Sequence, residues 1–161
     1  MFTKFKKTAY LPSEKPVFVW DGECGFCKYW VTYWEFNTED KIEYKTFQNT
    51  AAQFKDIPLK EFKKASRLIE TDGSIFSGPD SAYRSFTYFK KKPFPWHSWY
   101  KKYNLFAKLS DHGYNFIAKN RAFMFTVTKL FFGKNPLKIK PYWLIYLFFF
   151  LAIIYVFLKF L

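Results

Sequence analysis

The sequence predicts an α/β fold, and three observations support this prediction. The apolar run Val17–Trp20 is typical of a short buried strand, and a turn and a helical segment follow it. Residues 42–47 alternate between side chains that suit the two faces of a second strand. Asp72-Gly73 stands between two further apolar segments and is the strongest short-range signal for a β-hairpin in the chain. Strands and helices therefore alternate through the first half of the sequence.

Turn and helix signals give the limits of the other elements. Pro58 interrupts one helical stretch, and Pro79 is well placed in the first turn of the next helix. The predicted strands are residues 17–20, 42–47, 67–71 and 75–76. The predicted helices are residues 24–36, 48–54, 59–65 and 79–89. This order, βαβαββα, is typical of a thioredoxin-like domain.

The chain contains two cysteines, Cys24 and Cys27, and both stand at the predicted start of the first helix. A helix N-terminus has free backbone N–H groups and the positive end of the helix dipole, and both favour a cysteine thiolate. The thiolate is the form that attacks a disulfide. Since Cys27 follows one helical turn later on nearly the same face, the spacing predicts Cys24 as the nucleophile and Cys27 as the resolving thiol.

Other interpretations of these residues stay open on the sequence alone. A CxxC pair can be half of a zinc site, although His97 and His112 lie too far apart to match the close histidine pair of a zinc finger. Two buried cysteines can also be purely structural. Asp21, three residues before Cys24, is the third candidate site residue: its carboxylate can accept a thiol proton, cap the helix, or only form the turn after the first strand.

Three blocks of the sequence resemble a known family. The block Val19–Cys27 is similar to the hallmark of the DCC family of thiol-disulfide oxidoreductases, which is named for one Asp and two Cys. These three residues correspond, in order, to Asp21, Cys24 and Cys27. Residues 66–82 resemble the family's hairpin and following helix, and residues 114–121 resemble its closing motif. The resemblance covers about residues 15–123.

The resemblance implies a thioredoxin-like domain that exchanges disulfides through Cys24 and Cys27, with Asp21 in the same site. It implies no metal and no other cofactor. The expected partners are a disulfide-containing protein or a small thiol as substrate, and a thiol reductant. Thioredoxins and glutaredoxins carry a cis-proline before the third strand that faces the cysteines and binds the substrate backbone, whereas this chain has Ala65-Ser66-Arg67 there. We therefore expect its substrates to dock differently.

The C-terminal segment predicts a membrane-spanning helix. Tyr142–Leu158 contains no charged residue. At about 1.5 Å per residue, the segment from Tyr142 to the last residue reaches about 30 Å, the thickness of a hydrocarbon core. Lys159 can extend its ammonium group to the far surface. A buried core helix is the alternative interpretation.

The residues before this helix predict its orientation. Lys134, Lys138 and Lys140 lie within a few residues of its start, and the positive-inside rule keeps such a flank in the cytoplasm. The basic segment 1–11 is not followed by the apolar region of a signal peptide. The sequence thus predicts a single-pass membrane protein with a cytoplasmic redox domain. In a reducing cytosol, the cysteine pair would act mainly as a reductant.

The chain is strongly basic, with 26 Lys and Arg against 13 Asp and Glu and a formal net charge of +13. Such a charge attracts an anionic membrane surface. Lys90–Lys92 and Lys101–Lys102 lie near aromatic residues, but no nucleic-acid-binding signature accompanies them, so we expect no specific nucleic-acid partner. A noncatalytic basic module that binds a membrane partner or an anionic lipid surface is the alternative to an enzyme.

Four segments are predicted along the chain. They are a basic N-terminal segment (1–14), the thioredoxin-like domain (15–123), a basic aromatic connector (124–141) and the transmembrane anchor (142–161). The aromatic and basic residues of 93–132 suit either extra C-terminal helices of the domain or a surface in the lipid headgroup region. We expect Phe116, Ile117 and Phe123 to pack in the core, and Phe131 and Phe132 to lie at the membrane interface. We expect Arg121 to form an ion pair with a carboxylate of the domain.

Overall fold

A computed structural model describes residues 2–159, and its centre is one four-stranded sheet in the order β2-β1-β3-β4. The strands are β1 (Val17–Trp20), β2 (Glu43–Thr46), β3 (Arg67–Ile69) and β4 (Ile75–Ser77). β1 pairs in parallel with β2 and antiparallel with β3, and β3 pairs antiparallel with β4. A helix connects the parallel pair, as a crossover requires.

Helices surround this sheet and continue to the end of the described chain. They are α1 (Gly25–Thr38), α2 (Phe47–Thr50), α3 (Leu59–Lys64), α4 (Pro79–Ser85), α5 (Trp96–Lys102), α6 (Asn104–Lys119), α7 (Arg121–Phe132) and α8 (Tyr142–Lys159). Short 3₁₀ turns follow α2 and α4. The elements up to α4 have the predicted order, so the thioredoxin-like arrangement is confirmed.

The two faces of β1 contribute to two hydrophobic clusters, because side chains alternate across a strand. Val17 and Val19 belong to a cluster that includes Phe54 and Phe62. Phe18 is fully buried on the other face, in the cluster that contains Leu68 of β3. With both faces covered, the sheet fixes the position of the turn that leaves β1.

The predicted Asp72-Gly73 turn connects β3 to β4. Gly73 has φ +79°, and a Cβ atom there would lie 2.6 Å from the carbonyl oxygen of Thr8. Asp72 accepts hydrogen bonds from both the amide and the hydroxyl of Ser74. Lys7 forms an isolated antiparallel bridge with Ser74, so the N-terminal segment lies along this hairpin. Glycine is therefore required here both by the backbone angle and by the close approach of the N-terminal segment.

Residues 96–132 form three helices that pack on the domain. α5 contacts α4 and α6, and α7 contacts α1. The expectation of core packing is wrong for Phe116 and Phe123, which are 57% and 62% exposed. For Phe116 the reason is the helical phase of α6, which directs Tyr114 and the buried Asp111 toward the domain and leaves Phe116 outside.

The last described helix, α8, has the length and composition of a membrane span. Its mean hydropathy is 2.1, and none of it is buried inside the protein. A buried core helix, the alternative interpretation, does not fit this exposure. The predicted segments also include Met1, Phe160 and Leu161, which lie outside the described residues.

Candidate functional site

Cys24 and Cys27 lie where the turn after β1 leads into α1. The amide of Cys24 donates to the carbonyl oxygen of Asp21 at 3.2 Å, which closes the turn after β1. Cys24 is then the N-cap residue of α1, and its Sγ accepts a hydrogen bond from the amide of Cys27 at 3.2 Å. The two cysteines form a disulfide, with their Cα atoms 5.2 Å apart. The disulfide thus lies at the N-terminus of α1.

Asp21 lies beside the pair and its carboxylate accepts three hydrogen bonds. Arg121 Nη1 donates to Oδ2 at 2.6 Å. Gln48 Nε2 donates to Oδ1 at 3.0 Å, and the amide of Glu23 donates to the same oxygen at 3.2 Å. The expected ion pair of Arg121 with a domain carboxylate is therefore confirmed, and the carboxylate is Asp21. The hydrogen bond from Glu23 is the local turn bond that an aspartate commonly forms two residues ahead.

Gln48 and Arg121 come from distant parts of the chain and fix the turn from two sides. The side-chain oxygen of Gln48 accepts the amide of Gly22 at 3.2 Å, so one glutamine amide contacts both the backbone and the carboxylate of the turn. Arg121 Nη2 also donates to the carbonyl oxygen of Lys63 at 3.2 Å. The guanidinium therefore connects the turn after β1 with the end of α3.

A small pocket of about 70 Å³ opens beside the disulfide. Cys27, Asp21 and Arg121 contribute to one part of its lining. The apolar part is made largely by aromatic side chains, among them Phe18, Trp20, Trp30, Trp34 and Phe62. The indole N–H of Trp20 is buried and has no hydrogen-bond partner within residues 2–159. The pocket thus combines an apolar wall with Asp21, Arg121 and one of the two cysteines, Cys27.

The segment before β3 lines the same pocket through Ala65 and Ser66. The amide of Ser66 donates to the phenol oxygen of Tyr114 at 3.0 Å, and the Ser66 hydroxyl lies 3.2 Å from the same oxygen. That hydroxyl also lies 2.9 Å from Ser81 Oγ. Tyr114 therefore accepts a hydrogen bond from the backbone amide of Ser66 in the segment before β3. Sequence reasoning identified the departure at residues 65–67 but not this phenol.

Helix α7 covers the start of α1. A Cβ atom built on Gly25 would lie 3.0 Å from Cε1 of Phe125, so Gly25, the first of the two residues between the cysteines, packs closely on this ring. Phe132, at the other end of α7, packs edge-to-face on Trp30 at a centroid distance of 5.5 Å. These contacts place α7 directly beside the disulfide.

The two histidines do not join the site. His97 is buried, and its Nδ1 lies 2.7 Å from Oδ1 of Asp80. His112 is exposed on α6. Throughout residues 2–159, no group of three or more His, Cys, Asp and Glu side chains is arranged to hold a metal ion.

Comparison with known proteins agrees with this geometry. The model of the family described as DCC1-like thiol-disulfide oxidoreductase matches residues 18–127, a span that includes Asp21, both cysteines, Tyr114 and Arg121. No curated protein and no solved structure matches the sequence. With the match extending over more than half of its length, the chain belongs to the DCC1-like thiol-disulfide oxidoreductase family.

Proposed function

We propose that the protein is a membrane-anchored thiol-disulfide oxidoreductase of the protein-disulfide reductase type. The observation that supports this most directly is the Cys24–Cys27 disulfide at the N-terminus of α1, with Cys27 lining a pocket beside Asp21. Its substrate is a disulfide in a protein or a small molecule. A thiol reductant returns the pair to the dithiol after each turnover.

The reaction begins with the pair reduced. The Cys24 thiolate attacks one sulfur of the substrate disulfide, so that a Cys24–substrate S–S bond forms and the substrate S–S bond breaks. The departing substrate sulfur leaves as a thiolate and takes a proton from solvent. The amide of Cys27 donates to the Cys24 sulfur in the oxidised protein, and the same N–H group would stabilise a negative charge on it.

The second step releases the substrate. Cys27 loses its proton and attacks Cys24 Sγ, which forms the intramolecular disulfide and frees the second substrate thiolate. Two electrons have then passed from the cysteine pair to the substrate. We assign Asp21 as the acceptor of the Cys27 proton, because both residues line the pocket and Arg121 holds the carboxylate in place at 2.6 Å.

The position of the domain relative to the membrane is part of the proposal. The apolar helix α8 would span the bilayer once, and the lysines that precede it would keep the redox domain in the cytoplasm. Because the cytosol keeps thiols reduced, this placement favours substrate reduction over substrate oxidation.

Substitution of each cysteine tests the assignment of roles. The detergent-solubilised full chain should reduce a model disulfide in the presence of a thiol reductant, and Cys24→Ser should abolish this activity. Cys27→Ser should accumulate a mixed disulfide on Cys24, which mass spectrometry detects as the mass of one substrate half. If Cys24→Ser retains activity, Cys24 is not the nucleophile. If the wild-type cysteines never form a reversible couple against glutathione, the enzyme is excluded and the noncatalytic module is favoured.

A further inference from the structure

Helix α6 has an inner face that is fixed by contacts with the domain. Asp111 is buried, where it accepts hydrogen bonds from Tyr100 and Lys4, each at 2.5 Å. Tyr114 bonds to Ser66, as described above. These contacts determine which side of α6 faces away from the protein.

The outer face of α6 carries three large apolar side chains together with the exposed His112. We define it by Leu105, Leu109 and Phe116, which are 72%, 61% and 57% exposed. Their spacing of four and seven residues places them within a narrow arc of one helix. Large apolar side chains repeated along one exposed helix face indicate an interaction surface, whereas single exposed ones do not.

The positive charge of the surrounding sequence indicates an anionic partner for this face. Between residues 93 and 141 the sequence has nine basic residues and one acidic residue, and the acidic residue is Asp111. Because Asp111 is buried and paired with Lys4, it contributes little negative charge to the surface. Lys108 and Lys119 are exposed and lie on α6 itself. An apolar helix face with flanking lysines is the pattern of helices that lie in the headgroup region of anionic membranes.

The chain also leads from α6 to the candidate membrane span. α7 follows α6 after one residue and exposes Phe123 and Leu130. α8 packs against α7, with the rings of Phe131 and Tyr146 5.8 Å apart. A bilayer that contains α8 therefore begins close to these helices.

We propose that the outer face of α6 lies in the headgroup region of an anionic bilayer, with Lys108 and Lys119 contacting lipid phosphates. The redox domain then lies against the membrane instead of extending from α8 into the cytosol. This inference rests on the membrane anchoring proposed above and is independent of the cysteine chemistry.

Hydroxyl-radical footprinting of the full chain tests the proposal directly. The chain is reconstituted into nanodiscs of saturated phosphatidylcholine, with or without phosphatidylglycerol, and side-chain oxidation is read by mass spectrometry. Phe36 and Leu59 serve as internal references, because they are 64% and 53% exposed and lie on α1 and α3. We expect oxidation of Leu105, Leu109 and Phe116 to fall by at least about threefold relative to these references when phosphatidylglycerol is present.

Two variants separate lipid contact from other causes of protection. Leu109→Glu should restore oxidation of Leu105 and Phe116 in anionic discs, whereas Leu59→Glu, a matched change on α3, should leave their protection intact. Lys108→Gln with Lys119→Gln should weaken the protection and its dependence on phosphatidylglycerol without removing an apolar side chain. Circular dichroism of each variant checks that the fold is retained.

Three results would overturn the proposal. They are equal oxidation of the outer face and the reference residues in anionic discs, protection that is the same in neutral and anionic discs, and protection in detergent that rises with protein concentration. The last result would assign the face to a second copy of the chain. If the chain does not enter the discs, the proposed membrane anchoring is wrong, and so is the proposed docking of α6. Disulfide reduction by the same sample then still tests the enzymatic activity separately.

Discussion

The carboxylate of Asp21 accepts hydrogen bonds from three separate parts of the chain, and these bonds hold it in position within the site. One donor is the nearby Glu23 amide, and the others are Gln48 and Arg121. The Arg121 side chain is about one quarter exposed, so the ion pair is partly shielded from solvent. A partly buried charged hydrogen bond of 2.6 Å holds the carboxylate in one orientation more strongly than an exposed pair would. We therefore expect Arg121 to act through Asp21 as a positioning residue.

Arg121→Gln should slow release of the substrate more than its capture. Without the guanidinium, Asp21 loses its fixed orientation beside Cys27, and we expect the rate of the second step to fall by about tenfold, below the full effect of losing a general base. Rapid-quench mass spectrometry would show this as accumulation of the mixed disulfide on Cys24. Arg121→Lys should recover part of the rate, because it restores the charge but not the second bond to Lys63.

Arg84→Gln provides the matched control for this prediction. Arg84 forms an ion pair with Glu70 at 2.7 Å and is exposed to a similar extent, but it does not line the pocket. Its loss should leave the lifetime of the mixed disulfide unchanged. Equal effects of Arg84→Gln and Arg121→Gln would show that the slower step reflects general loss of stability.

Direct substitution of Asp21 tests its proposed role as proton acceptor. Asp21→Asn keeps the size of the side chain and its hydrogen bond from Gln48, but it removes the base. The second step should slow by about 100-fold at pH 7, and raising the pH should recover much of the rate because hydroxide then deprotonates Cys27. A rate that is lowered equally at all pH values would contradict the assignment and leave Asp21 as a turn residue.

At the scale of elements, the contact between α1 and α7 connects the cysteine pair to the C-terminal helices. Gly25 meets the ring of Phe125 so closely that an added methyl group requires the ring to shift by a few tenths of an ångström. Packed interiors resist such shifts. The sequence between the two cysteines is therefore constrained by a helix that begins almost one hundred residues later.

A double-mutant cycle measures this contact. Gly25→Ala should lower the free energy of unfolding more, or raise it less, in the wild type than in a Phe125→Leu background. The difference between the two backgrounds should be about 0.5–1 kcal/mol. The cycle cancels the intrinsic backbone preference of alanine over glycine, which would otherwise obscure the contact. Urea unfolding of the four proteins in the same detergent provides the measurement, and strict additivity would contradict the packing described here.

Residues of α3 and β3 form a second ionic cluster, away from the cysteines. Arg67 is fully buried and donates to the carbonyl oxygens of Thr3 and Glu61. Burial lowers the pKa of Arg67 to about 10. Glu61 accepts a hydrogen bond from Lys64 Nζ at 2.7 Å and from the amide of Thr3 at 3.0 Å, and these lower the pKa of Glu61 to about 2. The N-terminal segment is thus attached to the sheet through charged groups.

Lowering the pH should weaken this attachment of the N-terminal segment. The pKa of Glu61 is lower in the folded protein than in the unfolded chain, so its contribution to stability is complete above about pH 4.3 and is lost as the pH falls toward 2. Glu61→Gln should therefore lower the urea midpoint at pH 7 but reduce the further loss between pH 5 and pH 2.5. The exposed Glu14→Gln should follow the wild-type curve, and an unchanged acid dependence in Glu61→Gln would contradict the role of this carboxylate.

At the scale of the whole molecule, the parts that sequence reasoning predicted are those with local signals. The strand–turn–helix around Cys24 and the Asp72-Gly73 hairpin depend on residues a few positions apart, and both are confirmed. Gln48 and Tyr114 were not predicted as parts of the site, because their contacts with it depend on how distant elements meet. The prediction of core packing for Phe116 is wrong for the same reason: apolarity alone does not say which face of a helix meets the core.

The orientation in the membrane determines which redox partners the cysteines meet, so it decides the direction of the reaction. If the positive flank holds the domain in the cytoplasm, a membrane-impermeant maleimide should fail to label Cys24 and Cys27 in intact cells, even after treatment with a permeant reductant, and should label them once the cells are opened. Lys134→Gln, Lys138→Gln and Lys140→Gln together weaken that flank, so a fraction of the chains should then be labelled in intact cells. A Cys24→Ser/Cys27→Ser chain removes all thiols and controls for background labelling. Labelling of the wild type in intact cells would place the domain outside the cytoplasm, where the same cysteine pair would act as an oxidant or isomerase instead of a reductant.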